Sequence, residues 1–331
     1  MYDIISIGSA TRDVFIGTEE SKSFKSDEYS SGQAMCFSLG SKIEIKKIVF
    51  TTGGGGTNTA VTFARQGLKT ACIGSVADDL NGKELLAELE SEGVDTSHFQ
   101  KHKGDFTAYS VILVDKSGER TIFSYKGEGQ HFDFTKGVFA KAPFVKVETN
   151  WFFLDSLGGH YDLLEGIVSW AAKNSVKLAT NPGGKELAHG LEKWKPLLKN
   201  FSIFWLNQEE ASELTGINIK DEKGIFKCLD DLVDGIVVMT KGPEGMVVSD
   251  GKNLYRAGVP DSPVVERTGA GDASCSGFIA EYIRSADIVK AIQLGTANAS
   301  SVVTQYGSKA GILKNGDMGS WPLIKVETSQ F

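Results

Sequence analysis

The sequence Thr268-Gly269-Ala270-Gly271-Asp272 leads directly into Ala273-Ser274-Cys275-Ser276-Gly277-Phe278-Ile279-Ala280-Glu281-Tyr282. The apolar residues of the second stretch recur at helical spacing, so the glycine-containing turn is predicted to open an amphipathic helix. Unpaired N–H groups and the positive end of the helix dipole attract anions at such a start. Because a carboxylate is not a phosphate ligand, Asp272 is expected either to accept a proton or to hold a cation beside a transferring phosphoryl group. The local chemistry indicates phosphoryl transfer onto a hydroxyl.

Elsewhere in the chain, short apolar runs alternate with amphipathic segments. Strands are predicted over residues 2–7, 70–76, 151–154, 176–180, 201–206 and 235–240, and helices over 59–67 and 81–93. This βαβ alternation favours an α/β fold with a mostly parallel sheet that is covered on both faces. In such sheets the ligand binds at the carboxyl ends of the strands.

Three further segments have the pattern of strands with one wet face. Residues 41–49 contain alternating apolar and charged side chains, and residues 107–114 and 120–125 flank the turn-like sequence Asp115-Lys116-Ser117-Gly118. Together these segments are predicted to build a small β-sheet over the main domain.

Length and composition narrow the class of protein. A chain of 331 residues with 41% apolar side chains can bury a substantial core, in one large α/β domain with an appendage or in two small domains. Its 35 basic and 42 acidic side chains give a net charge of −7, which argues against nucleic acid or an anionic membrane as the partner and favours a small-molecule partner.

The four cysteines include no C-x-x-C pair, so neither a disulfide framework nor a zinc ribbon is predicted. The N-terminal residues are neither basic nor continuously apolar, and cytoplasmic residence is expected.

Four consecutive glycines, Gly53-Gly54-Gly55-Gly56, stand just before a predicted helix. Such a run is entropically expensive, so close approach of the backbone to a ligand or to another strand is expected, with packing as the simpler alternative. Asn58 either caps the helix or holds a polyol hydroxyl. The Walker pattern is absent here, and Gly8-Ser9-Ala10 after the first strand lacks G-x-G-x-x-G. Both nucleotide-binding schemes, and most dehydrogenase functions, are therefore disfavoured.

Two polar segments follow predicted strands. Asn207 and Glu210 are typical of a capping box at the start of a helix, and at the carboxyl end of a strand they can instead orient Mg²⁺ and its waters on a nucleotide. Thr240-Lys241-Gly242-Pro243-Glu244-Gly245 is either a tight turn or a loop at the phosphate side of a nucleotide.

These segments, in this order, closely resemble the signature regions of the ribokinase-like, or PfkB, family of carbohydrate and nucleoside kinases. The resemblance covers nearly the whole chain and lies in Gly53-Gly54 through Asn58, Asn207-x-x-Glu210, Thr240-x-Gly242 and Thr268-Gly269-Ala270-Gly271-Asp272. It implies one kinase domain over residues 1–331, with a Rossmann-like central sheet and a small β-sheet lid formed from about residues 12–50 and 105–127. It also implies ATP as phosphoryl donor, Mg²⁺, and a hydroxymethyl group of a sugar as acceptor.

The resemblance also implies roles for individual residues. Asp272 matches the catalytic base, and the main-chain N–H groups of Gly269, Ala270 and Gly271 match an anion hole that stabilises charge on the phosphoryl oxygens. The residues that match acceptor-binding positions are Asp13, Gly54, Gly55, Asn58 and Asp155. The residues that match nucleotide-binding positions are Asn207, Glu210, Thr240, Gly242, Gly245 and Thr296, with Glu210 also binding Mg²⁺ through water.

The sequence departs from the family pattern at two places that bear on function. Glu266 and Arg267 stand where K⁺-activated members have the Asp and Thr of a monovalent-cation loop, so K⁺ dependence is left open. The polar segment 17–49 is longer than the lid entry of ribokinase. Its Phe24, Tyr29 and Phe37 either stack on a base or pack the lid.

The expected function is that of an ATP-dependent kinase for a ribose- or fructose-like sugar. A nucleoside kinase of the adenosine or cytidine type is the alternative, favoured if residues 24–37 form an aromatic slot. Arg12 beside Asp13 raises an acidic or phosphorylated sugar as acceptor, and a ligand-sensing protein without catalysis is a further alternative. Unpaired edges of the lid suggest a homodimer. The sequence leaves the acceptor and the oligomeric state open.

Overall fold

The computed structural model describes residues 1–29, 32–114, 120–130, 132 and 147–331. The strands are β1 (Tyr2–Ile7), β2 (Thr11–Gly17), β3 (Lys22–Lys25), β4 (Gln33–Cys36), β5 (Lys47–Gly53), β6 (Thr70–Ile73), β7 (Ser75–Ala77), β8 (Gln100–His102), β9 (Tyr109–Val114), β10 (Arg120–Tyr125), β11 (Thr149–Leu154), β12 (Lys177–Thr180), β13 (Phe201–Asn207), β14 (Ile236–Thr240), β15 (Met246–Ser249), β16 (Asn253–Ala257) and β17 (Glu327–Gln330). The α-helices are α1 (Gly55–Arg65), α2 (Leu80–Ser91), α3 (Tyr161–Asn174), α4 (Gly184–Leu187), α5 (Leu191–Leu198), α6 (Gln208–Thr215), α7 (Glu222–Asp230), α8 (Ala270–Ser285) and α9 (Ile288–Val302). The turn predicted at residues 115–118 lies outside the described residues.

The larger sheet is mostly parallel, as the sequence predicts. Among the described residues its strand order is β17-β16-β15-β14-β13-β12-β11-β1-β6. The strands from β14 to β6 run parallel, whereas β15, β16 and β17 extend the sheet in antiparallel pairs. The carboxyl ends of β1, β11, β13 and β14 therefore lie along one edge.

Alternating side chains of β11 define the two faces of this sheet. Phe152 and Leu154 pack into a core with apolar residues of α3, α5, α6 and α7. Trp151 and Phe153 pack on the opposite face with Phe63 of α1 and apolar residues of α8 and α9. Helices therefore cover both faces, which is why the parallel strands are apolar along their length. Within the described ranges, no helix has both the length and the apolar character to cross a membrane.

A second sheet forms the lid, with the strand order β10-β9-β2-β5 in the described part of the chain. Asp13 of β2 lies opposite Ser110 of β9, and Ser110 lies opposite Ser124 of β10, so these three polar side chains share one face. The strands come from the two parts of the chain in which a small sheet was predicted. The assignment of residues 1–331 to a single domain stays a prediction.

Several predicted boundaries are wrong. Helix α1 begins at Gly55 rather than at residue 59, so two glycines belong to its first turn. The strand predicted over 70–76 is split at Gly74, where a Cβ would lie 2.6 Å from the Phe99 ring. The strand predicted over 41–49 begins at Lys47 and continues to Gly53, because pairing with β2 starts at Gly17.

Candidate active site

The glycine-rich turn before α1 is packed against other parts of the chain. A Cβ added to Gly53 would lie 1.9 Å from Asp13 Oδ2, and one added to Gly54 would lie 2.4 Å from Ser9 O. A Cβ added to Gly55 would lie 2.3 Å from Asp155 Oδ1, and one added to Gly56 would lie 2.6 Å from the carbonyl carbon of Gly8. Gly54 also has a φ of 94°, a conformation that favours glycine. The expected close approach is thus made by the chain itself, and it brings the turn against the end of β1 and the base of the lid.

Helix α8 begins at the sequence Gly269-Ala270-Gly271-Asp272. Gly269 is the N-cap residue in the left-handed conformation, with a φ of 81°, and a Cβ there would lie 2.5 Å from the Ser308 Cβ. The N–H groups in the first turn of a helix have no partner within the helix. Ala270 N donates to the carbonyl of Arg267 at 3.3 Å, whereas in the described part of the chain no such backbone bond is found for the N–H groups of Gly271 and Asp272, which can therefore bind an anion. The side chain of Asp272 extends from this same turn.

Asn58 and Asp272 meet across this turn, although 214 positions separate them in the chain. The Asn58 amide Nδ2 donates to Asp272 Oδ2 at 2.7 Å, and the Ser308 hydroxyl donates to Asn58 Oδ1 at 2.8 Å. Asn58 lies inside α1, whose N-cap residue is Gly54, so the capping alternative for Asn58 is wrong. Burial raises the pKa of Asp272, and the bond from Asn58 opposes this rise. Asn58 therefore fixes the orientation of a carboxylate that can accept a proton.

A cavity of about 260 Å³ lies between the lid and these residues. Its lining includes Asp13, Gly54, Gly55, Asn58, Thr268 and Asp272. Asp13 is 4% exposed, and its Oδ1 has no hydrogen-bond partner among the described residues. Burial raises the pKa of Asp13, whereas the charge of Lys309 and the hydroxyl groups of Ser110 and Thr11 lower it. A hydroxyl of a bound molecule would satisfy the Asp13 oxygen, and the cavity provides space for one.

Asp155 lies behind the glycine-rich turn, at the end of β11. Its Oδ2 accepts from the Ser9 hydroxyl at 3.0 Å, and the same hydroxyl accepts from Gly55 N at 3.1 Å. Burial and the nearby charge of Asp272 raise the pKa of Asp155 to about 7. The two carboxyl groups therefore titrate as a pair.

The residues predicted for the nucleotide lie farther along the same edge of the sheet. Asn207 and Glu210 form the capping box of α6: Glu210 N donates to Asn207 Oδ1 and Asn207 N donates to Glu210 Oε2, both at 2.8 Å. Asn207 lies opposite Thr240 in the β13–β14 pair. The segment from Thr240 to Gly245 makes a tight turn between β14 and β15, with positive φ at Gly242 and Gly245. The capping box and the tight turn, which were the structural alternatives for these two segments, are thus both formed. The roles of these residues in nucleotide binding stay predictions.

Two residues considered for ligand binding do not lie in the cavity. Thr296 is 2% exposed in α9, and its hydroxyl donates to the carbonyl of Ile292 at 2.9 Å. Arg12 points to the other face of the lid, where it pairs with Glu84 at 2.9 Å. Thr296 therefore stays a prediction without geometric support, and Arg12 does not supply a positive charge to the cavity.

Glu266 and Arg267, which depart from the family pattern, lie in different environments. Glu266 is fully buried and accepts from the backbone N–H of Thr268, and Arg120 Nε of the lid lies 3.8 Å from Glu266 Oε1. Arg267 is exposed. Glu266 thus connects the start of α8 to the lid, and K⁺ dependence stays open.

Sequence reasoning missed several residues of the site. Ser9, Ser110 and Lys126 line the cavity, and Ser308 positions Asn58. A signal existed for Ser9, which directly follows the first predicted strand. Ser308 carried none, because a serine between polar loop residues is ordinary in sequence.

Comparisons with known proteins show which family the chain belongs to. The model of the pfkB family carbohydrate kinases matches residues 3–315. A ribokinase of Haemophilus influenzae is 30% identical over 78% of this chain and 83% of its own length. An ATP-dependent 6-phosphofructokinase of Thermoanaerobacterium thermosaccharolyticum is 24% identical over 93% of this chain and 89% of its own. The structure of ribokinase from Giardia lamblia superposes with a TM-score of 0.77 at 21% identity, covering 96% of this chain and 99% of the other.

The relatives differ in their acceptors, whereas the family match spans the glycine-rich turn, the capping box and the start of α8. The ribokinase-like fold predicted from the sequence is confirmed. The chain therefore belongs to the pfkB family of carbohydrate kinases, phosphotransferases that act on alcohol groups.

Proposed function

We propose that this protein transfers the γ-phosphoryl group of ATP to the hydroxymethyl group of a sugar bound in the cavity beneath the lid. The observation that carries the proposal is the 2.7 Å bond between Asn58 and Asp272, which fixes a carboxylate at the start of a helix and beside a cavity. A carboxylate at this place receives the hydroxyl proton, and the first-turn N–H groups of α8 stabilise the charge of the phosphoryl oxygens.

Asp13 and the glycine-rich turn would hold the acceptor. The unsatisfied Oδ1 of Asp13 accepts a hydrogen bond from a sugar hydroxyl, and the backbone of Gly54 and Gly55 allows the sugar to approach closely. Asp155 supports Gly55 from behind through Ser9. This arrangement orients one hydroxyl toward Asp272, which is how positioning lowers the barrier.

The residues present fit a magnesium nucleotide. Among the described residues, no group of three or more His, Cys, Asp or Glu side chains could hold a metal ion. Mg²⁺ usually keeps several waters and binds through phosphates and one or two carboxylates, so a resident cage is not needed. Glu210 uses Oε2 in its capping bond, and we assign its other oxygen to a water of Mg²⁺. Bound Mg²⁺ would neutralise phosphate charge, and Asn207, Thr240, Gly242 and Gly245 would flank the nucleotide.

The cavity favours a sugar over a nucleoside. Its apolar lining in the described part of the chain is aliphatic, with Ala108, Ile112 and Ile122, and an aromatic ring is not among the lining residues there. Phe24 lies on β3 with half of its side chain exposed, and β3 pairs with β4 rather than with the lid sheet. Within the described lining of the cavity, a base would therefore meet no aromatic ring on which to stack.

A panel of ribose, fructose, adenosine and cytidine with Mg-ATP tests the proposal through acceptor-dependent formation of ADP. We expect a sugar to give the highest kcat/KM. Preference for adenosine or cytidine would support the nucleoside kinase alternative. Ligand binding without any ADP formation would instead identify a sensing protein.

Lys126 brings a positive charge to the cavity, and we extend the panel to sugar phosphates for this reason. No salt bridge is found for Lys126 within the described ranges, and this lysine lines the same cavity as Asp272 and Asp13. If the acceptor carries a phosphate or carboxylate, Lys126→Met should raise its KM about 10-fold, the value of a partly exposed charge-assisted bond. Steady-state kinetics measures this effect. Lys103→Met, an exposed lysine outside the cavity, is the control, and equal KM values for Lys126→Met and the wild type would refute an anionic acceptor.

We also propose that the protein forms a homodimer through the outer face of the lid. Phe50 and Phe123 lie on the two edge strands of this sheet and are 56% and 57% exposed, whereas Val14, between them in the same row, is 5% exposed. Exposed aromatic rings at the edges of a sheet are apolar surface that a second copy of the chain can cover. We expect Phe123→Asp to convert a dimer into a monomer in light scattering after size-exclusion chromatography. Phe24→Asp, which changes an equally exposed ring outside this face, should leave the mass unchanged, and a monomeric wild type would rule out the dimer.

A further inference from the structure

Lys309 is an ammonium group buried beneath the candidate site. Its Nζ donates to the carbonyl and the hydroxyl of Thr52, both at 2.7 Å, and to the hydroxyl of Thr57 at 3.0 Å. The side chain is 3% exposed. These bonds use the three N–H donors of the ammonium, and all of the acceptors are neutral. Burying this charge costs free energy, because neutral acceptors do not supply the Coulomb attraction that would offset the lost hydration of the ammonium group.

The charge of Lys309 acts on carboxylates that surround it at longer range. Glu88 of α2 favours its charged form most strongly among the neighbouring groups, followed by Asp13 of β2, Asp272 of α8 and Cys72 of β6. Burial is the larger effect and lowers the pKa of Lys309 to about 8. In return, Lys309 lowers the pKa of Asp13 and of Asp272, in both of which burial raises it. The charge of Lys309 also contributes to lowering the pKa of Glu92, which follows the end of α2.

The bonds of Lys309 also join two parts of the site. The Thr57 hydroxyl, which accepts from Lys309, donates to the carbonyl of Gly53 at 2.8 Å. The neighbouring Ser308 donates to Asn58 and packs against Gly269 at the start of α8. One loop therefore fixes the glycine-rich turn and the first turn of α8 relative to each other.

We infer that Lys309 is a positioning residue and the internal counter-ion of the site, which keeps Asp272 ionised and holds the glycine-rich turn against α8. It acts through Asp272, Asp13 and Asn58 rather than on the substrate. The inference rests on the proposed function in that Asp272 is the proposed base, but the ionisation of Asp272 can be measured without turnover.

The pH dependence follows from the signs of these effects. Removing the positive charge raises the pKa of Asp272, so the acidic limb of kcat moves to higher pH in Lys309→Met. Lys309→Arg keeps its charge at all working pH values, so its acidic limb should stay near that of the wild type. In the wild type, Lys309 loses its proton as pH rises through about 8. Activity should therefore change in a step near that pH, and both variants should lack this step.

The decisive measurement is NMR titration of ¹³C-labelled aspartate carboxyl groups, with the Asp272 signal assigned through Asp272→Asn. We expect the midpoint of Asp272 to rise by about one pH unit in Lys309→Met, a tenfold change in proton affinity. Lys314→Met, an exposed lysine of the same loop, should leave the midpoint unchanged. An Asp272 midpoint that is the same in Lys309→Met and the wild type would overturn the inference, and so would an equal rise in Lys314→Met.

A wild-type measurement covers the case in which a variant does not fold. The Cε signal of Lys309 in lysine-labelled protein should titrate near pH 8. Besides the inflection near pH 7 that arises from its coupling to Asp155, the Asp272 signal should show a further inflection at the pH at which Lys309 titrates, because the coupling is reciprocal. An Asp272 signal that does not respond there overturns the inference. If the coupling is present and no panel compound is phosphorylated, the counter-ion role stands and the proposed function fails.

Discussion

Asp272→Asn should lower kcat by about 10²–10⁴-fold, the usual contribution of a general base, while KM for the acceptor stays nearly unchanged. The substitution keeps the shape of the side chain and an oxygen that can accept from Asn58, so the cavity retains its geometry. What is lost is the capacity to take the hydroxyl proton. Steady-state kinetics over a range of acceptor concentrations separates the two parameters.

Asp261→Asn is the matched control, since Asp261 is an exposed carboxylate in the loop ahead of α8. It should have wild-type kinetics. Retention of more than a tenth of wild-type kcat in Asp272→Asn would remove Asp272 as the base. A large rise in KM with an unchanged kcat would make it a binding residue instead.

Asp13→Asn should raise KM for the acceptor by about 10- to 100-fold, with a smaller effect on kcat. Hydrogen bonds to charged groups contribute about 1.5–3 kcal/mol, and Asp13 has a buried carboxylate oxygen without a hydrogen-bond partner among the described residues. The expected loss is larger than for Ser110→Ala, which removes a neutral hydroxyl from the position opposite Asp13. Kinetics of both variants with the best acceptor of the panel gives this order.

Stability distinguishes this effect from damage to the fold. Burial raises the pKa of Asp13, so its ionisation costs folding free energy, and this cost grows as pH rises above the pKa of the unfolded chain. Asp13→Asn should consequently melt no lower than the wild type at pH 8. A lowered melting temperature together with weak binding would assign Asp13 to the structure rather than to the acceptor.

The sequence predicts the parallel core well because its signal is local. Continuous apolar runs predict β1, β11 and β13 to within two residues, and the strand-like segments on either side of a turn-like sequence predict β9 and β10 to within two residues. The antiparallel strands β15, β16 and β17 were missed. Short segments of this kind depend on the neighbour to which they pair, and that neighbour is set by the tertiary fold.

The boundaries failed where glycine has a packing role. At Gly74 the ring of Phe99 takes the place of a side chain and divides one predicted strand into two. Propensity disfavours glycine inside a helix, yet α1 begins with Gly55 and Gly56, and glycine is required at both positions because Asp155 and Gly8 leave no room for a Cβ. Contacts between distant segments outweigh local preference at each of these positions.

The site was predictable where side chains follow strands or open helices. Asn58 and Asp272 come together as expected, and Asp13 lies in the same cavity. Lys309 was not predictable, because a lysine in a polar loop is ordinarily solvated and its burial depends on Thr52 and Thr57 from a distant segment.

Ser308 follows Asn58 by 250 positions, and this order has a consequence for synthesis of the protein. Ribosomes add about 5–20 residues per second, so on the order of 10–50 seconds pass between the emergence of the first partner and that of the second. A nascent chain therefore carries no assembled centre for most of its translation, and premature stop codons upstream of Ser308 yield products in which Asn58 lacks this partner.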